Sequence, residues 1–462
     1  MHDKTFLGKG SVLKLVIKLS IPTIIAQLVN LLYNIVDRIY IGNIPKVGGF
    51  AYTGVGVCMP VILLVSAFAA LVGYGGAPKS TIYLGQKEDQ KAEIVVGNSF
   101  TLLLILGILL TIILLIFYEP LLYLFGASEN TIGFASDYLL IYAIGTIFVM
   151  MALGMNAFIS AQGFTKISML SVLIGAILNC ILDPIFIFVF SMGVQGAAFA
   201  TIISQAISSF FVVWFLQSKK ALVRLKWSNL VIKWDIILPT LALGLSPFVM
   251  QFTEAVITVC FNASLKKYGG DIAVGAMTTL ASLMQFSMLP LMGLSQGAQP
   301  VTSYNYGAKN VDRVKKSFII LLIASVIYST IFWLFLMLFP HGFANLFLSA
   351  DEVELIDYTA WAIRIYFAIS CLFGIQIACQ QTFIAIGNAK ISLFLAVLRK
   401  VILLIPLIFI LPLFIEDKAM AVYLAEPLAD GIAVSVTATM FLIYFNKTLK
   451  KLATETELEI AK

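Results

Sequence analysis

Long apolar runs follow one another along almost the whole of this 462-residue chain, in which 60% of the residues are hydrophobic and 12% are charged. A helix of about 20 apolar residues is long enough to cross the hydrocarbon core of a bilayer, where each backbone polar group must be paired within the segment. The sequence therefore predicts an all-α polytopic membrane protein. Its twelve predicted spans lie near residues 14–40, 50–74, 94–117, 137–161, 168–190, 194–216, 236–263, 272–302, 317–339, 357–386, 391–414 and 419–445.

The net charge of +6 reflects membrane topology and not a polyanionic ligand. With both termini placed in the cytoplasm, the segments on that side collect most of the basic residues. The basic residues of the opposite loops are Lys46, Lys266, Lys267 and Lys418. Loops rich in Lys and Arg stay in the cytoplasm, so we expect both termini to be cytoplasmic and expect no nucleic-acid partner.

The positions of the cysteines and the lack of a Walker A motif argue against several classes of function. All five cysteines lie within predicted spans, without a CxxC pair or a neighbouring His cluster, so neither a disulfide framework nor a metal site is indicated. No Walker A sequence is present, and ATP is therefore not expected to drive this protein directly. We expect a chain that is not an enzyme.

The two halves of the chain resemble each other. Residues 76–87 recur loosely at 298–309, and residues 158–168 resemble 382–392. Internal similarity of this kind marks a duplicated transporter core, and six spans per half make both halves enter the membrane in the same direction. The sequence therefore predicts two pseudo-symmetric six-helix bundles. Their predicted limits are an N-terminal lobe at residues 1–216, a cytoplasmic linker at 217–235, a C-terminal lobe at 236–446 and a cytoplasmic tail at 447–462.

Asp183 is the most unusual residue of the predicted spans, because the stretch around it is otherwise almost entirely apolar. An acid within a membrane span is costly and usually faces a bundle interior or a water-filled cavity, so it indicates a functional site. Pro22, in the first span, interrupts helical hydrogen bonding and is predicted to act as a hinge.

A second acid is expected at the same depth. At the helical rise per residue, Asp37 lies about 28 Å beyond Lys18, and Asp183 lies about 26 Å beyond Lys166. Both carboxylates are therefore predicted in the outer half of the first bundle. A structural interpretation stays open beside this one, in which Asp37 is an interfacial residue next to Arg38 and Asp183 only fixes helix packing.

Two further polar residues are predicted to join these acids. Asn179 lies one turn before Asp183 on the same face, and Thr201 lies about 10 Å below the outer surface on the next span. Two carboxylates held together at low dielectric do not both stay ionised near neutral pH, so such a pocket can load and release a proton. Its carboxylate, amide and hydroxyl oxygens are equally suitable ligands for Na⁺, so a Na⁺ site at Asp37 and Asp183 is also possible.

The second half carries its own polar residues. Glu254 is predicted near mid-membrane, where it would attract a cationic substrate, and Gln285 adds an uncharged polar group on an inner helix. Arg399 and Asp430 lie at similar depths on neighbouring spans and are predicted to form a structural ion pair.

These motifs together resemble a known family. Asp37 precedes Ile-Tyr-Ile-Gly in the first span, Gly-Gln-Lys and Gly-Ala-Lys follow the second and eighth spans, and Leu-Asp-Pro-Ile-Phe-Ile-Phe lies in the fifth. The chain is similar to the multidrug and toxic compound extrusion (MATE) family, within the bacterial branch of MepA-like and DinF-like exporters. The resemblance covers nearly the whole chain.

The resemblance implies a V-shaped fold of two lobes that rock around a central cavity. It implies a monomeric antiporter of the bacterial cytoplasmic membrane that exports cationic, amphipathic drugs in exchange for H⁺ or Na⁺ and needs no cofactor. It assigns cation coupling to four residues of the first lobe, which are Asp37, Asn179, Asp183 and Thr201. It adds three positions of the substrate cavity, which are Tyr33, Asn34 and Asn156.

One departure from the family pattern affects the second lobe. The Na⁺-coupled branch is expected to have an additional acid in the tenth span, where this sequence has Gln376, Gln380 and Gln381. A cation site around Glu254 is therefore less expected than coupling in the first lobe.

Two other functions are compatible with a duplicated membrane core. A lipid-linked oligosaccharide flippase of the same superfamily would need several basic residues in the cavity to hold a pyrophosphate, and few basic residues lie well inside the spans. A passive channel or a non-transporting scaffold is disfavoured by the duplicated bundles and the buried acids, but it stays open as an alternative.

Overall fold

The structure is a computed structural model that describes residues 5–348 and 352–460. The outermost residues of the predicted N-terminal lobe and of the predicted tail, 1–4 and 461–462, lie outside the described residues, as do residues 349–351 of one loop. The regular structure of the described ranges is helical, with α-helices joined by turns, by π and 3₁₀ segments and by a largely irregular segment at residues 218–233.

The long helices follow the apolar runs of the sequence. They are α1 (Val12–Gly42), α2 (Gly48–Gly85), α3 (Asp89–Leu124), α4 (Ile132–Ala161), α5 (Thr165–Val189), α6 (Gly193–Gln217), α7 and α8 (Trp234–Gly307, divided at Gly270), α9 (Val311–Leu338), α10 (Val353–Tyr366 with Ser370–Ala385), α11 (Ala389–Phe414) and α12 (Lys418–Ile460). Short helices at Phe6–Gly8, Trp227–Asn229 and Pro340–Asn345 complete the described chain.

The helix Trp234–Gly307 forms two spans. Its 74 residues would measure about 110 Å if straight, more than three times the thickness of a hydrocarbon core. Gly270 breaks it with φ 66° and ψ −158°, a conformation that glycine adopts without a steric cost. Gly244 and Gly307 both contact α2, at Leu71 and Ile82, so the chain folds back at Gly270.

The count of membrane spans follows from this division. Ten helices of the described ranges are long and apolar enough to cross a membrane, and the divided helix supplies two spans. Val353–Tyr366 and Ser370–Ala385 form one further span that is bent by 49°. The described residues thus contain twelve spans, and the predicted fold class is confirmed.

Four clusters of buried apolar residues hold the described helices together, and two of them are large. The larger core lies among α1 to α6, here called the N-lobe, and includes Leu103 and Phe158. A second core lies among α7 to α12, the C-lobe, and includes Phe261 and Tyr423. The first core continues across to Tyr304 of α8, so the two lobes share apolar packing on one side.

The shared packing lies at one end of the bundle. We call this end the basic side, because α1 begins and α2 ends there and because Lys87, Lys166, Lys309 and Lys390 lie at helix ends facing it. Small residues let helices from the two lobes touch along a seam. A Cβ atom placed on Gly244 would lie 1.7 Å from the carbonyl oxygen of Leu71 and one on Gly307 would lie 2.0 Å from that of Ile82, so only glycine fits at these two crossings.

Hydrogen bonds reinforce this seam between α1 and α8. Ser20 Oγ donates to the carbonyl oxygen of Leu294 at 3.1 Å, and Thr23 Oγ1 donates to that of Gly293 at 2.5 Å. One turn further, Gln27 Nε2 donates to Gln296 Oε1 at 3.2 Å. The lobes are therefore in direct contact in the half of the membrane nearest the basic side.

A segment before α1 crosses the seam on the basic side. The guanidinium of Arg313, on α9, donates to the carbonyl oxygens of Gly10 at 2.7 Å and of Leu7 and Lys9 at 3.2 Å. On the other lobe, the ring of Phe6 lies against Gly163. Residues 6–10, here called the N-terminal strap, therefore connect the two lobes.

The segment between the lobes is held against the N-lobe. Asn98 Nδ2 donates to the carbonyl oxygens of Asn229 and Val231 at 2.9 Å, and Gln162 Oε1 accepts from the backbone N–H groups of Leu222 and Val223. The residue limits that the sequence predicted for lobes, linker and tail stay predictions. The last helix runs to Ile460, past the predicted start of the tail.

The N-terminal strap predicts an effect of Arg313 on the equilibrium between open and closed basic sides. Arg313→Gln removes charge-assisted hydrogen bonds that are partly exposed, and we expect it to cost the closed state roughly 1–2 kcal/mol. Spin labels are attached at Lys166→Cys and Lys390→Cys in a background without native cysteines. Double electron–electron resonance should then show a larger population with a long distance between the two labels. Lys316→Gln, exposed on the same helix, is the matched control. Equal distance distributions in wild type and Arg313→Gln would contradict a latching role.

Candidate functional site

Two carboxyl groups face each other inside the N-lobe. Asp183 lies at the end of the α-helical part of α5 and is completely buried, and Asp37 of α1 is half-buried. The two side chains lie within hydrogen-bonding reach of each other. Pro184 has no N–H, and α5 continues after it as a π-helical turn at Ile185–Val189, a distortion that is frequent at functional sites.

An amide and a hydroxyl complete this group. Asn179 Nδ2 donates to Asp183 Oδ1 at 3.1 Å and lies 3.4 Å from Thr201 Oγ1. The structure thus brings together Asp37, Asn179, Asp183 and Thr201, the four residues that the sequence placed in one pocket. We call these four residues the carboxylate pocket.

The carboxylate pocket lacks donors for several of its oxygens. Asp37 Oδ1, Asp183 Oδ2 and Asn179 Oδ1 are buried and have no hydrogen-bond partner among the described residues. A buried oxygen without a donor is costly, and two facing carboxylates repel each other unless a positive charge lies between them. The arrangement is suited to binding one proton or one small hard cation.

Three tyrosines surround this pocket. Tyr33 lies one turn before Asp37 on α1 and is close enough to interact with its carboxyl group. On α4, Tyr138 lies against Thr201, and the rings of Tyr138 and Tyr142 stack at 6.2 Å. The α4 tyrosines were not predicted, although two tyrosines one turn apart on an apolar span are a signal that the sequence offered.

A cavity of about 400 Å³ lies between the two lobes. The N-lobe contributes mainly amide, hydroxyl and small side chains, among them Gln27, Asn30, Tyr33, Asn156 and Gln205. The C-lobe contributes Met250, Gln251, Glu254, Gln296, Gln299 and Gln381. Glu254 is the one ionisable carboxylate among the described residues of this wall, and neither Lys nor Arg belongs to it.

Tyr33 belongs both to the cavity wall and to the surroundings of the carboxylate pocket. The pocket is therefore adjacent to the cavity through one side chain, and both are built on α1. The residues that would hold a coupling cation and the residues that would hold a substrate are thus neighbours.

The other predicted cavity residues differ in position. Asn156 lies in the wall and donates to the carbonyl oxygen of Ser168 at 3.3 Å. Asn34 donates to the carbonyl oxygen of Asn30 at 2.6 Å, within its own helix. Gln285 is exposed on α8 and is not among the described residues that line the cavity. Pro22 is buried in α1, between the two residues that hydrogen-bond to α8.

The C-lobe contains a buried group of ion pairs. Arg399 Nε donates to Asp430 Oδ1 at 2.5 Å, and Arg399 Nη2 lies 3.5 Å from Glu426 Oε1. The next residue, Lys400, places Nζ 2.7 Å from Glu254 Oε1. The sequence placed Arg399 beside Asp430, but it did not associate Lys400 with Glu254 or Glu426 with Arg399.

A model of the MatE family matches two stretches of this chain, residues 22–185 and 247–410. Each stretch lies in one lobe, as expected for a duplicated core. The Multidrug export protein MepA of Staphylococcus saprophyticus subsp. saprophyticus is 26% identical over 407 residues, which cover 88% of both chains. That of Staphylococcus haemolyticus is 25% identical over 406 residues, with 88% of both chains covered.

Solved structures share the fold. A MATE protein crystallised in a bent conformation superimposes with a TM-score of 0.90 at 24% identity, over 98% of this chain and 100% of the other. An outward-facing multidrug resistance MATE family transporter of the MOP superfamily gives 0.90 at 24% identity, over 97% of this chain and 99% of the other.

The unpaired oxygens of the carboxylate pocket predict a pH-dependent stability. Asp183→Asn replaces one of two facing carboxylates with an amide that can donate to Asp37, and we expect it to stabilise the fold by about 1 kcal/mol. Wild type should lose thermal stability as the pH rises and both carboxyls become charged, and the variant should lose less. Thermal unfolding of the purified protein measures both. Asp137→Asn, an exposed acid of α4, is the control, and an identical pH profile for Asp183→Asn would contradict close contact of the acids.

The ion pairs of the C-lobe predict that Asp430→Asn destabilises the fold, whereas Asp183→Asn is expected to stabilise it. Asp430→Asn leaves the buried guanidinium of Arg399 without its closest carboxylate, which typically costs 3–5 kcal/mol in a buried pair. We expect a lower yield of monodisperse protein by size-exclusion chromatography and a lower unfolding temperature. Glu416→Gln, an exposed acid before α12, should behave like wild type. Unchanged yield and unfolding temperature for Asp430→Asn would count against a structural role.

Proposed function

Because this chain belongs to the MatE family, we propose that it is a secondary antiporter that exports cationic, amphipathic drugs in exchange for H⁺ or Na⁺. The family membership rests on a match that covers both lobes. The names of the MepA relatives support drug export, and the twelve spans support a multi-pass membrane protein. The proposal contains no covalent chemistry and no cofactor.

The carboxylate pocket is the observation that carries this proposal. Two acids face each other in an apolar bundle, and three buried oxygens around them have no donor among the described residues. A bound proton or Na⁺ would supply the missing positive charge, and its release would restore the repulsion. The free energy of the pocket therefore depends on ion occupancy, which is the property that an ion-coupled transporter requires.

The charge of the cavity wall favours a cationic substrate. Glu254 supplies a negative charge and the amide side chains supply adaptable hydrogen bonds, whereas the described wall contains no Lys or Arg. Its apolar part, including Met250 and Leu289, suits an amphipathic drug. A flippase for a pyrophosphate-linked lipid would need basic groups there, and the buried Arg399 and Lys400 are already paired with acids.

The seam links ion binding to the opening of the cavity. The lobes touch on the basic side, so this state has its cavity closed to that side. With the basic side in the cytoplasm of a bacterial cell, the state faces outward and is the one from which a drug leaves. Helix α1 carries Asp37 at one end and the seam residues Ser20 and Thr23 toward the other, with Pro22 as the proposed hinge.

Transport into everted vesicles tests the proposal. Ethidium accumulation is measured with a pH gradient and separately with a Na⁺ gradient, in everted membrane vesicles that contain the protein. Wild type should respond to at least one gradient, and Asp183→Asn should lose most of that response because the amide removes the repulsion between two carboxylates that a bound proton or Na⁺ would relieve. Asp137→Asn should transport like wild type. If Asp183→Asn transports like wild type under both gradients, the proposed coupling site is wrong.

A further inference from the structure

We propose that Lys400 is an internal counter-ion that competes with the cationic substrate for Glu254. In the empty cavity the Lys400 ammonium pairs with Glu254, and when a cationic drug takes its place the ammonium turns to Glu426. This inference rests on the proposed function, since it concerns the affinity of the same cavity for cations.

The ion pair joins a buried ammonium to a carboxylate at the cavity. Lys400 Nζ lies 2.7 Å from Glu254 Oε1, with 7% of the Lys400 side chain and 52% of the Glu254 side chain exposed. Glu254 lies in the wall of the cavity, whereas Lys400 approaches it from within the C-lobe. A substrate that enters the cavity therefore meets a carboxylate whose charge is already largely compensated.

The shape of α11 places Lys400 behind this wall. Residues Leu398–Leu404 form a π-helical segment, in which both Arg399 and Lys400 are buried, at 6% and 5% exposure. Arg399 is held by Asp430 and Glu426 and lies 5.5 Å from the ring of Phe373. Among the described residues, Lys400 forms its ion pair with Glu254.

A second carboxylate, that of Glu426, can accept the displaced ammonium of Lys400. Glu426 is 2% exposed, and its Oε2 atom is buried without a hydrogen-bond partner among the described residues. Glu426 lies within electrostatic range of Lys400. Three acids, Glu254, Glu426 and Asp430, share two basic side chains, so the group has one carboxyl more than it has cations. A drug cation at Glu254 would complete the charge balance while Lys400 satisfies Glu426.

This exchange explains how the cavity can hold an acid without trapping its substrate. A bare carboxylate at low dielectric would bind a cation tightly and release it slowly. A tethered ammonium lowers the affinity for every cation and leaves the affinity for uncharged amphiphiles unchanged. It also returns to Glu254 when the drug leaves, so the empty cavity does not keep an unpaired acid.

Equilibrium dialysis on purified protein tests the proposal with two probes of similar shape. Tetraphenylphosphonium carries a charge, and triphenylphosphine oxide is neutral. Lys400→Met should lower the Kd for tetraphenylphosphonium by roughly 5- to 10-fold, as expected for one partly screened ion pair, and should leave that for the neutral probe unchanged. Lys400→Arg should stay near wild type. In a Glu254→Gln background, Lys400→Met should have no effect on either Kd.

A control variant and a fallback variant complete the binding experiment. Lys390→Met makes the same change at an exposed position of the same helix and should bind both probes like wild type. An unchanged or weaker affinity of Lys400→Met for tetraphenylphosphonium overturns the inference, as does an equal gain for the neutral probe. If Lys400→Met does not yield folded protein, Glu426→Gln decides: loss of the second partner should raise the Kd several-fold, and a wild-type Kd overturns the exchange.

The same measurements separate this inference from the proposed function. Wild type that binds tetraphenylphosphonium and transports under a gradient, with Lys400→Met unchanged, leaves the antiporter in place and removes only the counter-ion. Wild type that binds neither probe contradicts the proposed drug cavity itself.

Discussion

The repulsion between Asp37 and Asp183 is the interaction on which the rest of the structure depends. Asp183 is completely buried, and the polar side chains around it, those of Asp37, Asn179 and Thr201, include no basic group that would compensate its charge. A membrane protein retains such a group only where occupancy by an ion or proton relieves the cost. Under the proposed coupling, the N-lobe would have two states of different energy, one with the ion or proton bound and one without it.

The two lobes have diverged in charge while they have kept their geometry. Each has a π-helical turn in its fifth helix, at Ile185–Val189 and at Leu398–Leu404. In the N-lobe this helix carries an acid without a basic partner, and in the C-lobe it carries two bases that are paired with acids. The second part of α10, Ser370–Ala385, contains no acid, and the ammonium of Lys400 compensates the charge of Glu254 without a bound ion.

The fold was predictable because hydrophobic length and duplication are properties of the sequence itself. The depths of Asp37 and Asp183 also followed from the helical rise, and the structure places them together. Lateral neighbours do not follow from a linear pattern. Lys400 meets Glu254 only because a π turn rotates α11, and Tyr138 reaches Thr201 only because α4 packs against α6. Gln285 shows the same limit, since its helix was identified but the exposure of its side chain was not.

Under the proposed coupling, helix α1 is the element that would convert ion binding into movement of the lobes. To reverse a population from about 1:99 to 99:1, an ion must bind one state about 10⁴-fold more tightly than the other. The state seen here has buried oxygens without donors around Asp183, so an added positive charge would stabilise it. The same helix donates hydrogen bonds from Ser20 and Thr23 to α8. Any tilt of α1 that follows loss of the ion must break or remake those bonds, so pocket and seam cannot change independently.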